Sequence, residues 1–195
     1  VPCRVGSSIA LALLIGRVAW VESPSNKTGA NSGDVAQSGF ITSKRSIDNM
    51  TSPTDHALTR DSLYGITPEP TYGGMLSFMR RRYTRELSNV DVAVMGIPFD
   101  LATTARPGTR FGPRSVREAS ACLAWEERVM GWGFNPLDDL AVVDYGDCFF
   151  DSGDPANAPQ AIYECARDIL ATDTALLSLG GDHFVSYPLL RAHAE

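Results

Sequence analysis

The sequence predicts an α/β protein with a mainly parallel sheet, and two observations carry that expectation. Three short runs, VDVAVMGIPFD at 90–100, LAVVDYGDCFF at 140–150 and TALLSLGGDHF at 174–184, are apolar and rich in Val and Leu. Each breaks at a glycine followed closely by an acid or a histidine. Near-continuous apolar runs of this length suit strands buried on both faces. Between the second and third lies DPANAPQAIYECARDILATD, an amphipathic helix, so strand, helix and strand follow within about forty residues. That order predicts a right-handed βαβ crossover, with helices on both faces of the sheet.

Residues 1–55 read as a disordered or leader-like extension lying outside that unit, and 56–195 as the folded part. The stretch 1–21 has an arginine, an apolar block over 9–15 and then Gly16 and Arg17. That apolar block is too short to span a bilayer, and no clear small-x-small cleavage site follows it. Acids are absent until Glu22, so a mitochondrial-type leader is the alternative to sequence outside the functional protein. Over 22–55, Ser, Thr, Asn and Gly dominate and no apolar period survives, the pattern of linker or disorder. Both lysines of the chain, Lys27 and Lys44, fall here, and Met50 stands where the composition changes, as a natural start would. His56 reads with this lead. The N-x-S/T matches at Asn26 and Asn49 would count only in a secreted protein.

Further along, 75–87 predicts a short helix with Leu76, Met79 and Tyr83 on one side and the Arg80, Arg81, Arg82 triplet on a solvated or subunit-facing surface. After the first apolar run, GPRSVREASACLAW predicts a helix buried through Val116, Ala119 and Leu123. In the crossover helix, Asp154 is the expected N-cap and Pro155 the first helical residue. Its apolar face is Ile162, Cys165, Ala166, Ile169 and Leu170.

With 195 residues, 44% of them hydrophobic and 21% charged, the chain can bury one sizeable core. Residues 1–60 carry six Lys/Arg against four Asp/Glu, and residues 61–195 carry eleven against nineteen, a balance near −8. An acidic body repels phosphates, so neither nucleic acid nor an anionic membrane is an expected partner, while a cationic ligand is tolerated. Cys3, Cys122, Cys148 and Cys165 form no C-x-x-C pair and have no histidine at finger spacing, so neither a zinc module nor a disulfide framework is indicated. Reduced thiols in the cytoplasm are expected, with Cys122 and Cys165 as small core residues.

In a parallel sheet, ligands bind outside the carboxyl ends of the strands. The residues there are Pro98, Phe99 and Asp100, then Asp144 and Asp147, then Asp182 and His183. An aspartate at such a position most often caps a helix or fixes a turn. His183 differs, because the glycine pair before it lets the backbone bend and presents an imidazole that suits a divalent metal. His193 points to no site. No G-x-G-x-x-G, Walker A or G-x-S-x-G motif occurs. The segment 99–117, FDLATTARPGTRFGPRSVR, is a long loop rich in Arg, Gly and Thr, expected to serve an active site or a subunit contact.

Three stretches together, VAVMGIPFDLATTARPGTRFGPRSVREAS at 92–120, LAVVDYGDC at 140–148 and LGGDHFVSYPLLRAHAE at 179–195, resemble the ureohydrolase family, the arginase and agmatinase group, and its agmatinases most closely. The likeness covers about 57–195, as the N-terminal portion of such a protein. It implies a three-layer α/β/α sandwich, incomplete in this chain, and hydrolysis of a linear amidine, a guanidino substrate, to urea and an amine. For agmatine that amine is putrescine. It also implies two Mn2+ ions that share a water and lower its pKa. The GGDH histidine of the family is a metal ligand, which transfers to His183. The family's other ligands come from a D-A-H-x-D segment and a later D-x-D, expected beyond Glu195, and no catalytic side chain is assigned within the chain. Homo-oligomers, often hexamers, are usual for the family. The alternatives are a guanidinobutyrase or other guanidino-acid hydrolase, and a truncated, non-catalytic paralogue.

Overall fold

The computed structural model describes residues 55–67, 69–126 and 133–195. The expectations for residues 1–54, including the leader, Cys3, Met50 and the two N-x-S/T matches, lie outside them. Among the described residues a four-stranded sheet forms from β1 (Arg82–Tyr83), β2 (Val92–Ile97), β3 (Val142–Asp147) and β4 (Ala175–Gly180), in the order β1-β3-β2-β4. Every pairing is parallel. Helices α1 (His56–Thr59), α2 (Gly112–Ser120), α3 (Ala158–Leu170) and α4 (Ser186–His193) accompany it. The three apolar runs are therefore β2, β3 and β4, and the α3 crossover carries the chain from β3 past the central β2 to β4.

The composition of β2 explains its central place. Residues 93–97, Ala, Val, Met, Gly and Ile, carry no polar side chain and all are buried. Alternate residues feed the two faces. Ala93, Met95 and Ile97 join Ile162, Ala166 and Ile169 of α3 in the larger core cluster, whereas Val94 joins Val142, Leu179 and the partly buried Val116 of α2 on the other side. The expected coverage of both faces is thus present, and the apolar face read for α3 packs as predicted, with Cys165 and Leu170 at its margin. Tyr163 fixes α4 against α3: its hydroxyl donates to Glu195 Oε2 at 2.6 Å and Arg191 lies 4.0 Å above its ring.

The β2–β3 register is irregular. Val94 pairs with Asp144 but Met95 pairs with Gly146, so Tyr145 is an extra residue on β3. Gly146 adopts φ +85, and a Cβ there would stand 2.3 Å from the Tyr83 hydroxyl, so only glycine fits.

Several local expectations are corrected. Residues 75–87 form no helix: a 3₁₀ turn at Phe78–Arg80, with Met79 and Arg80 at positive φ, leads into the short edge strand β1. Arg80 and Arg81 are buried, not solvated, because backbone carbonyls accept from the terminal nitrogens of both guanidinium groups. Arg80 donates to the carbonyls of Pro70, Gly73 and Met75, and Arg81 to Leu63, Gly65 and the Thr67 hydroxyl. Burial, then the nearby Arg60 charge, brings the Arg81 pKa down to about 9. The helix after β2 ends at Ser120 and continues as a 3₁₀ turn, Ala121–Trp125. Its buried face is Pro113, Arg117, Ser120 and Ala124, while Ala119 and Leu123 are exposed. α3 starts at Ala158 with Asn157 as N-cap and Pro159 in its first turn; Asp154 and Pro155 belong to the turn before it. His56 is not part of a structureless lead but opens α1, its Nδ1 2.7 Å from Glu69 Oε1.

Candidate functional site

The carboxyl ends of β2, β3 and β4 lie side by side, and four aspartates and two arginines tie them to their surroundings. β2 runs through Pro98 and Phe99 into Asp100, whose side chain is fully buried. Its Oδ2 accepts the Gly108 amide at 2.7 Å, and its Oδ1 accepts Arg110 Nε at 2.7 Å. The exposed loop 101–111 is thereby folded back on the strand end. The Arg110 hydrogen bond is the main reason the Asp100 carboxyl falls to about 2.

β4 leaves the sheet through Gly180 and Gly181, joined by a cis peptide, with Gly181 at φ +70. A Cβ on Gly181 would lie 2.6 Å from the Ile97 carbonyl and 2.9 Å from that of Phe99. The glycine pair therefore permits contact between two strand exits, as well as the bend that the sequence suggested. Asp182 completes the junction. Its amide donates to Phe99 O at 2.8 Å, its Oδ2 accepts Ala102 N at 2.8 Å and its Oδ1 caps the following turn through Phe184 N at 3.0 Å. His183 heads that 3₁₀ turn, His183–Val185, and is exposed at the mouth of the sheet.

β3 contributes a different cluster. Arg117 of α2 holds Asp144 bidentately, Nε to Oδ2 at 2.7 Å and Nη2 to Oδ1 at 2.9 Å, and reaches Asp147 Oδ1 with Nη1 at 2.6 Å. Asp144 also accepts the Phe78 and Gly146 amides at 2.7 and 2.9 Å. Burial disfavours the Arg117 cation, but the bonds to Asp144 and Asp147 outweigh it and raise its pKa. Both carboxylates face α2 because the Tyr145 bulge reverses the side-chain alternation between them. Gly96 leaves the space, since a Cβ on it would overlap Asp147 Oδ1 at 1.9 Å.

Above the strand ends, Phe99 packs edge-on against Phe150 at 5.7 Å and beside Phe184 at 5.6 Å. A cavity of about 60 Å³ opens between Phe99, Asp100, Leu101, Arg110 and the 150–155 segment.

The sequence-predicted residues thus divide. Asp100, Asp182 and His183 meet at one mouth, while Asp144 and Asp147 turn toward α2. All four aspartates do structural work, as the bias toward caps and turns implied. Among the described residues no group of three or more His, Cys, Asp or Glu side chains is gathered to hold a metal ion. His193 is exposed on α4, away from this mouth. Two organisers, Arg110 and Arg117, were not singled out as site residues, although both lie in the G-x-R-x-G-P-x-x-x-R phrase at 108–117.

Comparison with known proteins supplies the family. Residues 90–195 match the model of the arginase family. An agmatinase of Chromobacterium violaceum is 56% identical over 141 residues, 72% of this chain and 44% of the relative. The crystal structure of a hypothetical agmatinase from Burkholderia thailandensis superposes with a TM-score of 0.69 at 58% identity, over 72% of this chain and 44% of that one. Proclavaminate amidino hydrolase from Streptomyces clavuligerus follows with a TM-score of 0.58 at 31% identity, over 65% of this chain and 41% of its own. The chain spans less than half the length of the curated relatives it matches. Among the described residues no helix is long and apolar enough to cross a membrane. The arginase-type α/β fold, the GGDH strand exit and the family match over 90–195 together establish that this chain belongs to the arginase family.

Proposed function

We propose that this chain is the N-terminal part of a manganese-dependent agmatinase, which hydrolyses agmatine to putrescine and urea, and that residues 56–195 form the first part of its ureohydrolase domain. The observation that carries the reading is the geometry of the β4 exit: a glycine pair presses against two strand-end carbonyls and leaves His183 exposed beside the Asp100–Arg110 loop. The 56% identity to a bacterial agmatinase supports the choice of substrate.

Among the described residues at the mouth of the sheet, the donor set fits one ligand of a metal centre. His183 offers an imidazole nitrogen, whereas Asp100, Asp144, Asp147 and Asp182 are committed to arginines and backbone amides. Manganese prefers several oxygen donors, so we assign the remaining ligands to the part of the relatives that this chain does not span. When bound, the ions would supply an activated water. The chain's own residues do the positioning. Asp182 fixes the turn that carries His183, and Asp100 with Arg110 holds the 101–111 loop beside it. The acidic body admits a cationic guanidino substrate. A homo-oligomer in the cytoplasm is the accompanying expectation.

The test is His183→Ala in the intact protein. Manganese content should fall, and urea release from agmatine should drop by roughly two orders of magnitude or more. Unchanged metal content and turnover would remove His183 from the centre. The 195-residue polypeptide alone should release no urea, and manganese-dependent urea production from it would overturn the assignment of ligands outside it. The likeness to an amidino hydrolase keeps guanidinobutyrate and related guanidino acids in the substrate panel.

A further inference from the structure

Where β3 leaves the sheet, two thiols meet on the face opposite Arg117. Cys148 directly follows the strand and is buried, its Sγ 3.6 Å from the Ala161 carbonyl of α3. Cys165 lies on α3 one helical turn beyond Ala161, is half-buried, and its thiol and that of Cys148 are electrostatically interacting neighbours. Both sulfurs pack within the larger apolar cluster. Arg85, from the connection between β1 and β2, donates to the Asp147 carbonyl at 3.1 Å and stands 5.1 Å from the Tyr145 ring centroid. Its charge acts on both thiols, against Asp147 on the Cys148 side and Asp168 on the Cys165 side. The neighbouring Cys148 thiol is the main reason Cys165 is brought down to about 7, while the Cys165 sulfur and burial push Cys148 up.

We infer that Cys148 and Cys165 are a reversible disulfide switch, in which Cys165 reacts with a hydroperoxide and Cys148 resolves the product. The Cys165 thiolate attacks an oxygen of hydrogen peroxide, breaking the O–O bond and giving a sulfenic acid and hydroxide. Cys148 sulfur then displaces the sulfenic hydroxyl, forming the S–S bond. The two thiol protons leave in two waters, and the two electrons lost by sulfur reduce the peroxide. The division of labour follows the structure. The more accessible thiol lies beside a guanidinium and reacts first, and the buried one waits in contact. The bond would clamp the end of β3 to α3. Phe149 and Phe150 come next in the chain, and Phe150 packs on Phe99 and lines the cavity with Asp100 and Arg110. Oxidation is therefore read at the mouth of the sheet, and its chemistry does not depend on the hydrolase assignment.

The experiment treats the purified protein with hydrogen peroxide, blocks residual thiols and maps unreduced peptides by mass spectrometry. One linked pair, Cys148 with Cys165, should appear, lighter by two hydrogens and restored by dithiothreitol. Cys148→Ser should leave a sulfenic acid at Cys165 that a dimedone-type probe captures. Cys165→Ser should slow loss of the Cys148 thiol by about tenfold or more, and Cys122→Ser should change nothing. Bridges through Cys3 or Cys122, bridges only between chains, or direct passage of wild-type Cys165 to a sulfinic acid would each overturn the inference. If a serine variant fails to fold, judged by its thermal transition, the wild-type peptide map alone decides.

Discussion

Arg117 satisfies Asp144, buried at 0% exposure, and reaches the half-exposed Asp147 with its remaining nitrogen. Removing one partner of such a group leaves an uncompensated charge in the interior, which costs more than the pair itself contributes. Arg117→Met should therefore destabilise the protein by about 3–5 kcal/mol in urea unfolding, and Arg117→Met combined with Asp144→Leu should recover part of the loss. A double variant no more stable than the single one would show that Asp144 finds other partners. Hydropathy could not have revealed this arginine. A periodicity reading places Val116, Ala119 and Leu123 inside because they are apolar, and an Arg whose partner lies 27 residues away looks like a solvated residue. Arg80 and Arg81 were obscured for the same reason, since the carbonyls that accept from them belong to irregular segments without a sequence period. The position of His183 at a strand exit was legible because its signal is local: two glycines and an imidazole at the end of an apolar run.

At the scale of elements, the strands and α3 could be read directly, since burial on both sides of β2 leaves an unbroken apolar run and the α3 face keeps its helical spacing. Boundaries were harder. The start of α3 moved from Pro155 to Ala158 because the preceding turn already uses Asp154, whose carbonyl accepts the Asn157 amide at 3.2 Å. The exits of β2 and β4 depend on one close approach, the backbone of Gly181 against Ile97 and Phe99. Gly181→Ala combines left-handed backbone with a clash, so it should cost about 1–3 kcal/mol and loosen the turn bearing His183. Amide hydrogen exchange should show lost protection at Asp182, whose amide donates to Phe99. Protection equal to wild type would mean that the junction does not depend on this approach.

At the scale of the whole molecule, the sheet and its two flanking clusters join at the carboxyl mouth, where acid should loosen the Asp100 anchorage. Asp100 titrates at about 2 when folded, below the value of about 3.9 for an unfolded aspartate. A depressed folded value stabilises the protein above the unfolded pKa, and the contribution disappears as pH falls from about 4 through 2. The difference in urea midpoint between wild type and Asp100→Asn should be full above pH 4 and vanish near pH 2. A difference that persists at pH 2 would separate the loop's anchorage from the ionisation of Asp100. The sheet order and the joining of strand exits through Asp100 and Asp182 were beyond sequence reading, because parallel neighbours are set by long-range packing and leave no local mark.

The single added residue at Tyr145 acts as a phase shift for everything downstream on β3. It is the reason Asp147 meets Arg117 on one side while Cys148 meets Cys165 on the other. Deleting that one position would exchange the two neighbours, driving a carboxylate among aliphatic side chains and stranding a sulfur beside a guanidinium. An ionic clasp and a thiol pair on opposite faces thus share one backbone irregularity, so any tolerated change of length here must rebuild both.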